Sequence, residues 1–318
     1  MRFVGWSRNR NEGGTRTMAS MVLWAILALA MAAGLGLPAA AARGAAADGC
    51  PSALVEAIPP RPSHAASASD FVQRTSALSE AARDTAVAAE LMAGNLPAFL
   101  RELRPVTLPD PRAEANVTIC VMPDYLALGS DDDFLRLPMG LPTALDVADR
   151  FGFVLPTPRM VDAIYEQAEV RLRPQPLPPG DAMRSIAYFW QHQGQIQAQR
   201  LALRAPLGAL MAGQKKDVVL TNRLLAKPGR VAIYGWHEGA GRPIQPLSTV
   251  HGARYADYSH GVRLVSAVAY VDGYARPLSD LLEDRRLARL VSDEGPISRA
   301  VIRATGADRQ SQLTELRR

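Results

Sequence analysis

Apolar positions early in the chain recur at helical spacing. Phe71, Val72, Leu78, Ala82, Val87 and Leu91 fall on one helix face, with Ser69 or Asp70 available as N-cap and Gly94-Asn95 as the stop. A short second helix is predicted over LPAFLREL, with Pro97 in its first turn, and Pro105, Pro109 and Pro111 then predict a loop. The pattern changes at VTICVM (117–122), a β-branched run that reads as a strand, and at FLRLPM (134–139), a shorter one. Thr143 opens a helix that Gly152 ends. Thr157 caps the next, with Pro158 at its first position and Met160, Val161 and Ile164 facing a core. After the proline-rich connector RPQPLPPG (173–180), a third helix is expected from Asp181 to Arg204, carrying His192 among alternating glutamines. VVLTNRL and VAIYGW read as a hairpin around Lys227-Pro228-Gly229. GAGRPIQPL reads as loop, VRLVSAVAYV as a strand, and Leu278 to Leu290 as a short amphipathic helix.

Helices come first and paired strands follow. That order predicts an α+β fold, with a helical N-terminal part packed on a mainly antiparallel sheet. Residues 64–297 are expected to form a single domain. The Ala/Pro/Gly-rich stretch 43–63 reads as a linker and the polar, Arg-rich end 298–318 as a disordered tail.

The N-terminus adds a compartment. Arg2, Arg8, Arg10 and Arg16 precede the uncharged run MVLWAILALAMAAGLGL (21–37), which Pro38 and a string of alanines close. Basic, apolar and small segments in that order make residues 1–42 a signal peptide, and they predict a periplasmic or secreted protein that meets a membrane only through this signal. An uncleaved anchor is the alternative, since the run is just long enough to span a bilayer. Four arginines and one glutamate in residues 1–42 carry three of the five net positive charges of the 318-residue chain. The remainder is close to neutral and lacks a basic run with interleaved aromatics, so no nucleic-acid partner is expected. The two cysteines, Cys50 and Cys120, are predicted to form one disulfide after export, with two free thiols as the alternative.

Candidate chemistry concentrates in Thr249 to Val265, TVHGARYADYSHGVRLV, which holds two of the five histidines. His251, Asp257, His260 and Arg263 are its candidate catalytic residues. His237, directly after the VAIYGW strand, is the candidate outside partner. Lys216, Asp217, Tyr255, Tyr258, Trp236 and Arg254 are candidate substrate-binding residues. A metal-free site would use His260 or His237 to move a proton, Asp257 to orient the imidazole, and Arg263 or Arg254 to stabilise negative charge. His251, Asp257 and His260 are also ligand types that zinc prefers, which keeps a zinc-dependent, peptidase-like hydrolase open beside a cofactor-free enzyme. The spacing of His251 and Asp257 is close to that of D-alanyl-D-alanine carboxypeptidases of the LAS metallopeptidase group. A third alternative is a buried hydrogen-bond network that stabilises a sheet corner. Asp124 and Asp131 to Asp133 lack the calcium-loop spacing and read as an Asp-rich turn.

His251-Gly252, Ser259-His260-Gly261 and Arg263 resemble part of the signature of L,D-transpeptidases, which cross-link bacterial cell walls. The resemblance covers about thirteen residues, the family's nucleophilic cysteine is replaced by Val262, and the spacer is shorter than the family's. A thiolate mechanism is therefore not expected at that position. LPTPRMVDAIY, KKDVVLTNRL, YGWH and YADYSHGVRLV together resemble a family of exported bacterial proteins without established activity, a likeness spanning roughly 90–297. It implies that Asp162, Lys216, Asp217 and His237 belong with the central stretch. The expected function is an exported hydrolase or transferase acting on a cell-wall or polysaccharide substrate. A non-catalytic envelope binding protein is the alternative.

Overall fold

A computed structural model describes residues 49–301, apart from 109–111, 113–114, 240–241 and 299. The chain divides into two units, Met1–Ala41 and Ala42–Arg318, and all described residues fall in the second. The predicted signal peptide and the tail beyond 301 lie outside the described residues. No described helix is long and apolar enough to cross a membrane.

The architecture is α+β. Two helices, α1 (Ala68–Thr75) and α2 (Glu80–Met92), precede the strands. One helix was expected there. Ser76 to Leu78 break it, and the Ser79 side chain accepts from the Ala82 N–H to start the second. Strands β1 (Arg104–Leu108), β2 (Val117–Val121), β3 (Ala127–Gly129) and β4 (Phe134–Arg136) follow. Next come α3 (Leu141–Phe151), β5 (Phe153–Val154), α4 (Pro158–Gln167), β6 (Val170–Arg171) and α5 (Ile186–Ala202). The second half contributes β7 (Met211–Ala212), β8 (Lys216–Val218), β9 (Ile233–Glu238), β10 (Arg242–Ser248), β11 (His260–Gly261), β12 (Val265–Val271) and β13 (Tyr274–Pro277). Helices α6 (Leu278–Glu283) and α7 (Ala288–Val291) close the described chain.

Two sheets organise the interior. One runs β1-β2-β12-β13, with β5 also paired to β12, and all its pairings are antiparallel. Its central strand β2 buries Val117, Ile119 and Val121 in the main core, as its β-branched run predicts. The other runs β10-β9-β8-β11 and is antiparallel except for β11 on β8. The first helices pack on α3, α5, β3 and β4.

Both β1 and β10 correct proline-rich stretches expected as loops. Each is an edge strand, where Pro105, Pro243 and Pro246 need not donate to a second neighbour. The helix expected over 278–290 is likewise split, because Asp284 turns the chain by accepting from the Arg286 and Leu287 amides. The third helix starts later than expected, at Ile186 after a short 3₁₀ turn at Asp181–Arg184.

Residues 49–63 do not behave as a linker. Cys50 is disulfide-bonded to Cys120 in β2. The Arg101 guanidinium donates to the Ile58 and Pro59 carbonyls, and Arg61 to Asn95 and to the Gly129 carbonyl. Composition suggested flexibility, but these bonds strap the segment across the helical face. The beginning of the expected tail is also ordered: Ser298 N–H donates to Asn222 and Val301 is buried.

The disulfide closes a loop with a sequence separation of 70 residues. Loop-closure entropy for that length gives about 4 kcal/mol of stabilisation. We expect the Cys50→Ser/Cys120→Ser double variant to lose about 2–5 kcal/mol in urea unfolding. An unchanged midpoint would show that the strap holds without the bond.

Candidate functional site

Strand β8 lies between β9 and β11 and sets the frame. Lys216 pairs with Gly235 on one side and His260 on the other, and Asp217 pairs with Tyr234 and Gly261. The incoming segment is anchored where the Val231 N–H donates to the His251 carbonyl and Arg230 bridges Gly252. A turn then brings Tyr255, Asp257 and Ser259 together. The Tyr258 N–H donates to the Met183 carbonyl and the His260 N–H to the Asp257 carbonyl. Gly261 admits no larger residue, because a Cβ there would sit 2.5 Å from the Tyr125 ring. Trp236 has a left-handed φ of 55° although it is not glycine. Such backbone costs about 1–3 kcal/mol and persists where surrounding structure imposes it.

Two groups form on this frame. The outer group is His251, Tyr255, Asp257, Ser259 and His260, with Lys216 beside it. Asp257 Oδ1 accepts from the Ser259 amide (2.8 Å) and hydroxyl (2.6 Å), and its Oδ2 from Tyr255 OH (3.2 Å). His260 Nε2 stands 3.7 Å from Asp257 Oδ2. His260 is 0% exposed, and neither of its ring nitrogens has a hydrogen-bond partner. His251 and Tyr255 are half-buried. Their rings stack at 4.0 Å and lie 6.0 and 5.7 Å from the His260 ring. Burial pushes the His260 imidazole well below its usual pKa, and pushes His251 down as well, so both are neutral near pH 7. Burial alone would raise Asp257, but the two Ser259 hydrogen bonds and the Lys216 cation favour its charged form, so the carboxylate stays ionised beside a neutral His260.

The inner group continues into the core. Tyr125 OH donates to Asp217 Oδ2 (2.8 Å), and the Arg263 guanidinium lies over the Tyr125 ring at 4.4 Å while its Nε approaches Asp217 Oδ1 at 3.9 Å. Burial raises the Asp217 carboxyl to about 6, against the pull of Arg263. Lys215 donates to the Tyr258 carbonyl (2.6 Å) and lies 3.4 Å from His192 Nδ1. Its ammonium is pushed down to about 7 by burial and by Arg136. Arg136 in turn pairs with Asp124 at 2.5 Å and with Gln193, and Gln214 donates to Asp124.

The central stretch is therefore assembled, but not as expected. His251, Tyr255, Asp257 and His260 converge, with Lys216 next to them. His237 does not join them. It bonds Asp162 at 2.9 Å and stacks on Tyr165 at 4.4 Å, and Tyr234 OH donates to the same carboxylate. Asp162 and His237 lie on the Asp217 side: Asp217 Oδ2 and His237 Cε1 are each 3.5 Å from the space a Gly235 Cβ would fill. Three expected substrate contacts, Tyr258, Trp236 and Asp217, and one expected catalytic residue, Arg263, are buried with partners of their own. Tyr258 is buried with its hydroxyl paired to the Leu177 backbone, and the buried Trp236 indole donates to the Gln214 carbonyl. Asp217 is 3% exposed, and Arg263 donates to the Met122 and Met211 carbonyls, so both are held by the protein's own groups. Arg254 is exposed, near Asp84 and Gly140. Among the described residues no three His, Cys, Asp or Glu side chains come together as a metal-ligand set. His251, Asp257 and His260 are included in that statement.

Sequence reasoning missed Lys215, Tyr125, Asp124, Arg136, Gln193 and Gln214. The signal for Asp124-Tyr125 was present, since two polar residues directly follow an apolar strand. Lys215 was hidden beside the better-placed Lys216. Comparison of the chain with known protein families, with curated proteins and with solved structures finds no match.

His192 and His260 are buried neutral, His192 with its pKa pushed down to about 2 by burial and by Lys215. A base with a depressed folded-state pKa binds its proton more readily unfolded, so stability falls as pH drops below about 6.5. Each such histidine contributes a slope of up to about 1.4 kcal/mol per pH unit. Urea midpoints measured from pH 7 to pH 5 should fall steeply, and His260→Gln should flatten the dependence by one proton. An unaltered slope would mean that His260 is charged in the folded protein.

Proposed function

We propose that the chain is an exported hydrolase or transferase acting on a cell-wall or polysaccharide component, with acid/base chemistry at His251, Asp257 and His260. The carrying observation is the fully buried His260 imidazole, unpartnered at both nitrogens, backed by Asp257 and fronted by half-buried His251 and Tyr255. An unmade hydrogen bond on a buried polar atom costs about 1–3 kcal/mol, a cost that a site completed by substrate would offset.

In this reading His251 is the general base. It is neutral near pH 7, partly open, and held flat against Tyr255. It takes a proton from a hydroxyl or water at the rim. Asp257, fixed by Ser259 and Tyr255, stabilises the imidazolium that forms, and His260 closes toward Asp257 as charge develops. The deprotonated oxygen adds to a substrate ester or amide carbonyl, Lys216 at the rim supplies positive charge for the oxyanion, and the His251 imidazolium returns its proton to the leaving alcohol or amine as the bond to it breaks. The partial L,D-transpeptidase-like signature supports a cell-wall substrate. Val262 is fully buried where that family carries its cysteine, so the chemistry proposed is not thiolate chemistry. The Cys50–Cys120 disulfide favours an oxidising compartment, and the basic, apolar and small N-terminal order supports export to the periplasm or beyond.

The test uses the purified chain on isolated cell-wall sacculi and on soluble neutral polysaccharides, reading released fragments and new reducing ends. His251→Gln should reduce turnover by about 10²–10⁴-fold with an unchanged thermal midpoint, and Asp257→Asn should reduce it as much while also lowering the midpoint, because the buried carboxylate balances Lys215. Variants as active as the parent would overturn the assignment. Binding without turnover by the parent would replace it with an envelope binding protein.

A further inference from the structure

Away from the His251–His260 group, helix α5 and the β3–β4 turn enclose a cavity of about 350 Å³, lined by Asp132, Asp133, Phe134, Trp190, Gln193, Gly194 and Gln197. That volume lies at the small end of ligand sites. Trp190, Gln193, Gly194 and Gln197 occupy i, i+3, i+4 and i+7 of α5, one continuous stripe. Trp190 is 39% exposed, an indole left in water on a helix whose neighbours Ile186 and Phe189 are buried. A Cβ on Gly194 would meet nothing within 4 Å, so the stripe has an open notch beside the indole.

The polar groups around the notch are already sorted. Gln193 is fixed, donating to the Phe134 carbonyl and accepting from Arg136, and forms a rigid floor. Asp133 accepts from the Ser69 amide and hydroxyl, which holds the turn in place. Asp132 is exposed, and the Gln197 amide, whose oxygen accepts from Arg200, keeps its NH₂ for a ligand. One flat aromatic face, a carboxylate acceptor and an amide donor around a small notch suit a ring with an apolar face and an equatorial belt of hydroxyls. We propose that this cavity is a binding subsite for a neutral saccharide, stacked on Trp190 and hydrogen-bonded by Asp132 and Gln197. The carboxylates at its mouth disfavour anionic sugars. A single aromatic wall also lacks the paired ridges that grip a polyproline helix. The inference stands on the cavity alone and does not require the catalytic assignment.

Isothermal titration of the full chain with N-acetylglucosamine tetramer, cellotetraose and maltotetraose tests it. At least one should bind, and Trp190→Ala and Gly194→Leu should each weaken binding at least tenfold. Both residues are at the surface, so thermal midpoints should not fall, and Gly194→Leu should raise its midpoint slightly through the better helix propensity of Leu. His251→Gln should bind as the parent does, so lost turnover with retained binding bears on the proposed reaction and not on this subsite. No binding of any of the three, binding indifferent to Trp190→Ala, or preferential binding of a proline-rich peptide or of polygalacturonate would overturn the proposal.

Discussion

Three basic side chains buried in one interior, two of them guanidinium cations, are the constraint to which the rest of the structure answers. Arg136, Lys215 and Arg263 are each at most 1% exposed. An ion in such a setting is tolerable only when paired and hydrogen-bonded, because desolvation costs several kcal/mol per ion. Three carboxylates meet them. Asp124 pairs directly with Arg136, Asp217 lies by Arg263, and Asp257 lends Lys215 its field. The remaining donors go to backbone carbonyls at Met122, Met211 and Tyr258 and to Gln193. Removing one carboxylate would leave a cation unbalanced, which is why the polar interior holds as a unit.

That interior dictates the backbone around it. Gly261 leaves room for the Tyr125 ring, which lies under Arg263 and donates its hydroxyl to Asp217; a Cβ at Gly261 would meet that ring. Gly235 and the left-handed Trp236 let β9 pair with β8 while the Trp236 amide still reaches the Lys215 carbonyl and its indole the Gln214 carbonyl. The Lys216 ammonium then covers the Trp236 ring at 4.8 Å. The left-handed backbone at Trp236 is held by these amide and indole hydrogen bonds.

The sequence made the element types legible wherever local chemistry decides them. Thr157-Pro158 started α4 and Gly152 ended α3, because caps act within one turn. It misjudged β1 and β10, since a proline is harmless on an edge and edge status is a tertiary fact. The same division governs the site. Thr249 to Val265 was legible as a dense polar stretch, and His251, Tyr255, Asp257 and His260 do meet, being joined by short-range turns. Which charges face inward was not legible. Arg263 and Lys215 look like any exposed cations in the sequence, and only partners far along the chain, Tyr125, Asp124 and Arg136, decide their burial. His237 was placed by β9 pairing with β8, which directs it to Asp162 instead of His260.

The pattern of satisfaction also sets His260 apart from the other buried polar groups. Among the described residues, buried polar atoms without a partner occur on His192, Gln195, Gln214, Asp217 and His260. Asp217 is enclosed by buried Tyr125 and Arg263, and His192 by buried Lys215 and Tyr258, so no outside molecule reaches those atoms without opening the core. Gln214 sits behind Asp124 and Trp236. His260 differs because two half-buried rings, His251 and Tyr255, stand between it and solvent within 6.0 Å. At His260 an unmade hydrogen bond coincides with two partly open aromatic neighbours, which is the physical basis for the chemistry proposed there.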